Sequence, residues 1–559
     1  MEQKSLKWIK WIEIGLVALF LGTGLIVALS SEFAVLQWYL TDDAFYYFKV
    51  AQNIGEGLGS TFDGVNPTNG YHPLWMLVCV PVFLLARVDL VLPLRILILV
   101  ASGFGAASAV ILFRMLRRFL ELPIALAFTT IWAFYLPLYR VITKNGMEAA
   151  ISAFFIILLW ERVTALNQQE KVTIRQIWVV GGIAVFTFLS RLDNIFLVFF
   201  AGVWVWLRWW QPMTEAKTTW ASWRWRLKTG VAFYLPVTVV LLVYLGLNQW
   251  LFNSAMPISS EVKLWWGTLG KTIYGSPLYI YPEYIFEYLL PASRGVGPWE
   301  PFTRPLHEFA IKFWAQRGRD FTLEPLAITY AAVFGAMAAV LAPGWKRLRQ
   351  LGKGFGLLPL FAAAMVQSSY YFYRDATNLQ VWYWVSQNLF LLIMLAVAVS
   401  VIFGYFSKFK QIEIARWVFA GGVALMLCFG IIDYAVDKTY SEVGDYTHEY
   451  QQRANLLRTL IPPDAVLAGI GTGSVGYFMP DHRVVNLDGL INSAEYLEHL
   501  KNGTVIDFLE EMDVQYIYGS PYIVTESKVY GGSLGPYLEF VQEYEISQNT
   551  QTLWRVVYP

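Results

Sequence analysis

Two adjacent carboxylates, Asp42 and Asp43, follow the first long apolar run almost at once, in Thr41-Asp42-Asp43-Ala44-Phe45-Tyr46-Tyr47. Charge this close to lipid is costly and is usually kept for function. Helix capping accounts for part of the pattern: Thr41 reads as an N-cap, with both acids in the first turn of a helix 44–56 against its macrodipole. One cap needs only one acid. A carboxylate left over could serve as general base toward an attacking hydroxyl, and the residues do not say which of the two it is. Glu148, in Gly146-Met147-Glu148, opens a later apolar run. It reads either as a helix N-terminal acid or as a second acid of the same site, sharing base and hydrogen-bonding roles.

Cations accompany these acids. In Ser190-Arg191-Leu192-Asp193 the charged pair is spaced i,i+2, which on one helix does not face itself, so a local helical salt bridge is not expected. Arg191 reads either as a headgroup-snorkelling side chain or as a bidentate phosphate ligand. Lys144, Lys263 and Arg374 fall in other loops of the same predicted side. His72, in Asn69-Gly70-Tyr71-His72-Pro73-Leu74-Trp75, stands alone, with no His or Cys nearby to make a metal motif. An interfacial role suits it better than a substrate contact. Pro73 suits a first helical position and Trp75 an interfacial anchor.

The elements that must hold these residues are membrane spans. The chain has 559 residues, 56% of them hydrophobic and only 15% charged, with a mean hydropathy of +0.45. Apolar runs long enough to cross a bilayer recur along it. Spans are predicted near residues 11–30, 91–113, 122–140, 148–166, 177–190, 194–209, 229–251, 323–342, 355–372, 382–404 and 416–434, about eleven in all. The stretch 72–86 is short for a span. If it does not cross, the basic clusters after it all fall on the side of Lys4, Lys7 and Lys10, as the positive-inside rule requires. It is therefore expected to be a juxtamembrane or re-entrant helix. This puts the N-terminus in the cytoplasm and the acids, their cations and the C-terminus outside a plasma membrane. The N-terminal run lacks a small-residue cleavage site and reads as a retained anchor. The formal charge of +1 gives no signal for nucleic acid. The two cysteines, Cys79 and Cys428, sit far apart in apolar segments and read as reduced packing residues.

Two domains are expected: a membrane domain over 1–434 and an extracytoplasmic α/β domain over 435–559. The membrane domain includes an outer loop 31–72 and a long outer loop 252–322, whose Trp265, Trp266, Tyr274, Tyr279 and Tyr281 suit the headgroup level. In the tail, strands are predicted at Ala465–Ile470, Arg483–Leu487 and Val514–Tyr518, with helices at Ser493–Lys501 and Val505–Met512, a pattern that favours a partly parallel sheet. Gly471-Thr472-Gly473-Ser474-Val475-Gly476 matches a dinucleotide fingerprint, but outside the cytoplasm such a cofactor is not supplied, and Asp488 is the best available partner acid. Close packing of strand on helix is the better account. Asn486-Leu487-Asp488-Gly489, at a strand end, reads either as a tight turn or as a segment facing the site.

Taken together, Asp42-Asp43-Ala44 with Tyr46, Gly70-Tyr71-His72-Pro73-Leu74-Trp75, Gly146-Met147-Glu148, Arg191-Leu192-Asp193, Pro257-Ile258-Ser259 and Val485-Asn486-Leu487-Asp488-Gly489-Leu490 resemble the GT-C membrane glycosyltransferases that use polyprenyl-phosphate sugars. The likeness is to bacterial relatives of the mycobacterial arabinofuranosyltransferases, and more distantly to protein O-mannosyltransferases and the lipid A aminoarabinose transferase. The resemblance implies an all-α polytopic domain carrying the small α/β domain, and a sugar passing with inversion from a polyprenyl-phosphate donor to the hydroxyl of an envelope glycan, lipid or protein. It implies Asp42 or Asp43 as base, Glu148 as second acid, and Arg191, Lys263 and Arg374 on the lipid phosphate, with His72, Tyr46 and Asp193 among the substrate-binding set. The family often has Pro before the Asp of its Arg-x-Asp motif, where this chain has Leu192. Some relatives use a divalent metal and others do not, so metal dependence stays open. Two other readings of the residues are a lipid-linked sugar flippase, which would want polar groups at mid-membrane, and a non-catalytic scaffold presenting the tail.

Overall fold

The computed structural model describes residues 2–39, 41–208, 219–269, 297–318, 323–373, 379–440, 447–530, 534–546 and 549–559. Each predicted span coincides with a helix or a bent helix pair, from Glu2–Ala28 through Leu92–Arg117, Ala149–Asn167, Ile174–Ser190 and Ile195–Arg208 to Val385–Tyr405 and Ile412–Tyr440. Among the described residues seven helical stretches are long and apolar enough to cross a membrane, eight if one bent pair counts as a span. The chain is a multi-pass membrane protein. The bent pair is Leu122–Phe134 with Leu136–Ile142, at 56°. Pro137 fits the break at Tyr135: it has no N–H to continue the first helix, its ring would crowd the carbonyl four residues back, and it suits the first turn of the second helix. The helix Pro73–Phe83 has 11 residues, about 16 Å at the helical rise, roughly half a hydrocarbon core.

The tail holds a five-stranded sheet in the order β2-β1-β3-β5-β4. Strands β1 (Val466–Gly469), β2 (Val484–Asn486) and β3 (Val514–Gly519) are parallel, as the sequence suggests, and helices Ala494–Asn502 and Val505–Glu511 cover them. Sequence reading misses the hairpin β4 (Leu538–Ile546) and β5 (Asn549–Val556), which adds an antiparallel edge. In β4 most side chains are exposed and three are glutamates, so no apolar alternation announces it.

Helix Asp43–Glu56 is buried along most of its length, clasped between the membrane helices and the tail. Two glycines permit the approach. A Cβ on Gly70 would lie 2.1 Å from the Leu490 carbonyl oxygen, and one on Gly473 would lie 2.4 Å from that of Asp42. The Gly-rich run of the tail thus packs against the start of helix Asp43–Glu56, where sequence reading expects strand-on-helix packing. Cys79 and Cys428 are free thiols. Tyr274, Tyr279, Tyr281 and Arg374, with residues 270–296 and 319–322 of the long loop 252–322, lie outside the described residues.

Candidate functional site

The paired aspartates part company. Asp42 directs its carboxylate away from its own helix and caps another: Oδ2 accepts from Gly473 N–H and Oδ1 from Ser474 N–H, both at 2.8 Å. Thr41 Oγ1 accepts from Asp43 N–H at 3.2 Å, but the N-cap position falls to Asp42, one residue later than expected, and its side chain caps nothing in its own helix. The first-turn role expected of both acids therefore holds for Asp43 alone, because the amide groups that open helix Gly473–Phe478 claim the other.

Asp43 instead lines a small chamber of about 70 Å³ with Tyr46, Tyr47, His72, Glu148, Arg191 and Lys263. Burial raises its carboxyl to about 6; Lys263 opposes the shift, while Asp42, Asp488 and Glu148 add to it. Opposite lies Glu148, which makes no capping bond of its own. It accepts from Tyr47 Oη at 2.9 Å and pairs with Arg191, while His72 Nε2 stands 3.7 Å away. Tyr47 in turn accepts from the His72 backbone N–H at 3.0 Å. Burial pulls the His72 imidazole below its ordinary range, ahead of the neighbouring charges. Leu192 N–H donates to His72 Nδ1 at 3.4 Å, which leaves the ring proton on Nε2, facing Glu148.

Arg191 is 2% exposed, so it does not snorkel to headgroups. It has left the helix for extended backbone, φ −153° and ψ 128°. That turn lets it form the pair that i,i+2 spacing forbids within a helix: Nε to Asp193 Oδ1 at 3.1 Å and Nη2 to Oδ2 at 2.9 Å. Tyr371 and Gln367 also donate to Asp193, at 2.7 and 3.1 Å. Asp193 is therefore a brace that fixes the guanidinium. Burial pushes its carboxyl up, but Arg191 outweighs this and holds it below the usual range.

Lys263 donates to Tyr383 Oη at 2.7 Å, and Arg191 stacks over the same ring at 4.4 Å. Burial lowers the Lys263 ammonium, but Tyr383 and Asp43 more than restore it. Lys144 is drawn elsewhere, bonded to Tyr434 and over the Trp38 ring at 5.0 Å.

Next to the chamber is a second cavity of about 310 Å³, lined largely by apolar side chains such as Ile195, Phe196, Leu264, Tyr370 and Leu379. His72, Arg191, Ser259, Lys263 and Tyr383 line both spaces. Sequence reading missed Ser259, Tyr371, Tyr383 and Gln367 as site residues. Ser259 stands in a motif already singled out and four residues before Lys263 on helix Ile258–Thr268, a spacing that could have marked it. The aromatic and amide groups carry no such signal.

The tail completes the wall. Leu490 and Ile491 line the chamber, and Tyr46 Oη donates to Asp488 Oδ2 at 2.5 Å. Asp488 also accepts from Gly471 N–H and Leu490 N–H. The segment 486–489 is thus a turn, with Gly489 at φ +78°, and also faces the site. Among the described residues the one set of three metal-ligating side chains with converging ligand atoms is Glu495, His499 and Glu511, on the two tail helices and not in the chamber.

A family model described as a domain of unknown function, DUF8728, matches residues 438–557. No curated protein matches the chain. Among solved structures, ArnT from Cupriavidus metallidurans bound to undecaprenyl phosphate aligns over 97% of this chain and 98% of its own, at 13% identity and a TM-score of 0.50. The apo form of the same protein aligns over 99% and 98%, at 11% identity and 0.50. Archaeal oligosaccharyltransferase AglB from Archaeoglobus fulgidus, in complex with an inhibitory peptide and a dolichol-phosphate, aligns over 98% and 74%, at 13% identity and 0.49. At these identities the likeness speaks for architecture: the chain has the GT-C fold, a polytopic helical membrane domain with a small C-terminal α/β domain.

Proposed function

We propose that this protein is an integral membrane glycosyltransferase that moves a sugar from a polyprenyl-phosphate donor to the hydroxyl of an extracytoplasmic acceptor. The observation that carries the reading is the meeting of two unlike spaces, an apolar groove and a polar chamber, along one shared wall of His72, Arg191, Ser259, Lys263 and Tyr383. A lipid tail suits the groove, and a sugar with its acceptor suits the chamber. The structure of ArnT bound to undecaprenyl phosphate agrees with such a donor.

In this mechanism the acceptor oxygen attacks the anomeric carbon from the side of Asp43. The bond from that carbon to the phosphate oxygen breaks, the lipid phosphate departs toward Lys263 and Arg191, and the acceptor proton passes to Asp43. Attack opposite the leaving group inverts the anomeric centre. The charges favour this order. Asp43, Glu148 and Asp193 face Arg191 and Lys263, three acids to two cations. Protonating Asp43 removes one negative charge as the phosphate gains one, so the cations become available to the leaving group when it needs them. Glu148 and Asp193 fix Arg191, and Tyr47 and His72 hold Glu148. The chamber faces the outside of the plasma membrane, with the N-terminus in the cytoplasm.

The test is reconstitution of the purified protein in proteoliposomes with radiolabelled polyprenyl-phosphate sugars and simple glycosides as acceptors. Transfer of label to an acceptor or to water is the expected result. Movement of labelled lipid across the bilayer without transfer would replace this reading with that of a flippase.

A further inference from the structure

The site described so far uses one end of the membrane helices. Helix Ala149–Asn167 begins beside Glu148 and runs 19 residues, about 28 Å at the helical rise, close to the thickness of a hydrocarbon core. At its far end, beside Gln168, lies a cavity of about 1030 Å³. Helix Trp345–Phe355 forms one wall, and Trp204, Leu207 and Leu358 contribute apolar surface.

That helix is amphipathic in a telling way. Trp345, Arg349 and Lys353 repeat at i, i+4 and i+8, so they share one face, and that face lines the cavity. Arg349 and Lys353 are exposed, and among the described residues neither makes an ion pair. Two neighbouring cations are used within the fold: Arg347 donates to Glu121 at 2.5 Å, and Arg416 pairs with Glu121 and Glu413. Lys346, Lys408 and Lys410 are exposed but do not line the cavity. No acid lines the cavity. Its shape is fixed by Gly356, which ends the helix at φ +64° where a Cβ would stand 2.2 Å from the Trp204 ring. Trp204 is stacked on Trp160 behind it at 5.5 Å.

We infer that this cavity binds one anionic phospholipid of the leaflet opposite the proposed transfer site. Its headgroup phosphate lies on Arg349 and Lys353, its glycerol region lies between Trp204 and Trp345, and its chains run over Leu207 and Leu358. The sequence pattern of a basic amphipathic helix at a membrane surface matches this use, and each cation near an anionic headgroup adds appreciably to binding. An apolar wall excludes a free phosphate ion as the natural occupant, and the two unpaired cations favour an anionic over a zwitterionic headgroup.

Native mass spectrometry of the full-length protein, released from nanodiscs of mixed phosphatidylglycerol and phosphatidylcholine, tests this. Wild type is expected to retain one phosphatidylglycerol in preference to phosphatidylcholine. The double variant Arg349→Gln/Lys353→Gln should lose that retention by about tenfold or more. The variant Lys408→Gln/Lys410→Gln removes two exposed cations of a neighbouring loop and should retain the lipid as wild type does. An unchanged melting temperature in both variants establishes that each is folded. Equal retention in wild type and the Arg349/Lys353 variant, no preference between the two lipids, or equal loss in the Lys408/Lys410 variant would each overturn the assignment.

Discussion

Asp42 and Asp43 differ by one position and by what their oxygens already hold. Both oxygens of Asp42 are bound by tail amides, while Asp43 faces the chamber. Asp43→Asn should therefore cost about 10²- to 10⁴-fold in transfer, the usual contribution of a general base, measured with labelled donor at saturating acceptor. The pH dependence follows from the same carboxyl. A base works deprotonated, and burial has raised Asp43 to about 6, so the rate should fall as pH drops through that value and level off above it. The sign for stability is opposite. A folded-state value above the ordinary carboxyl range means that ionising Asp43 weighs against the fold as pH rises through that window. Asp43→Asn should then melt no lower than wild type at neutral pH, while losing activity. A variant that unfolds early would place Asp43 among structural groups instead.

At the scale of elements, what was legible in the sequence is what depends on local pattern. Spans announce themselves by apolar length, and β1, β2 and β3 by short apolar runs between turn residues. Arg191, Lys263 and Glu148 were visible because charge beside lipid is rare. What stayed hidden depends on distant partners. Asp42 meets Gly473 across 431 positions, and nothing in either segment alone says that the Gly-rich loop serves an aspartate instead of a phosphate. The β4–β5 hairpin hid for the converse reason, since its exposed glutamates mask the strand period. The glycine contacts give an element-scale prediction. Gly473→Val would press its side chain into the Asp42 backbone and should loosen the tail, seen as faster proteolysis after residue 440 and reduced transfer. Wild-type protection in that variant would mean the clasp yields more easily than the geometry implies. Lys263→Met, on the helix shared by groove and chamber, should raise the KM for the lipid donor as well as lowering kcat, because in the proposed mechanism its ammonium meets the phosphate before and after bond cleavage.

On the scale of the whole molecule, the two domains make one site. Membrane helices and helix Ile258–Thr268 line the groove, helix Asp43–Glu56 supplies Asp43, and the tail supplies Leu490, Ile491 and the Asp488 partner of Tyr46. Under the proposed function a lipid-borne donor accounts for this division: the tail closes one side of the chamber and leaves the other open to the groove. Tyr46→Phe, which leaves Asp488 without its hydroxyl donor, should cost about 1–3 kcal/mol in the stability of the docked state, read from the melting of the detergent-solubilised protein.

The central claim, that Asp43 takes the acceptor proton while Asp42 holds the tail in place, is tested most directly by comparing transfer from a labelled polyprenyl-phosphate sugar by Asp42→Asn and Asp43→Asn, both verified as folded. Asp43→Asn should lose about 10²- to 10⁴-fold in transfer, with no recovery as pH rises, whereas Asp42→Asn should keep transfer with the wild-type pH profile and a weaker tail clasp. Full activity in Asp43→Asn, or loss in Asp42→Asn alone, would contradict it.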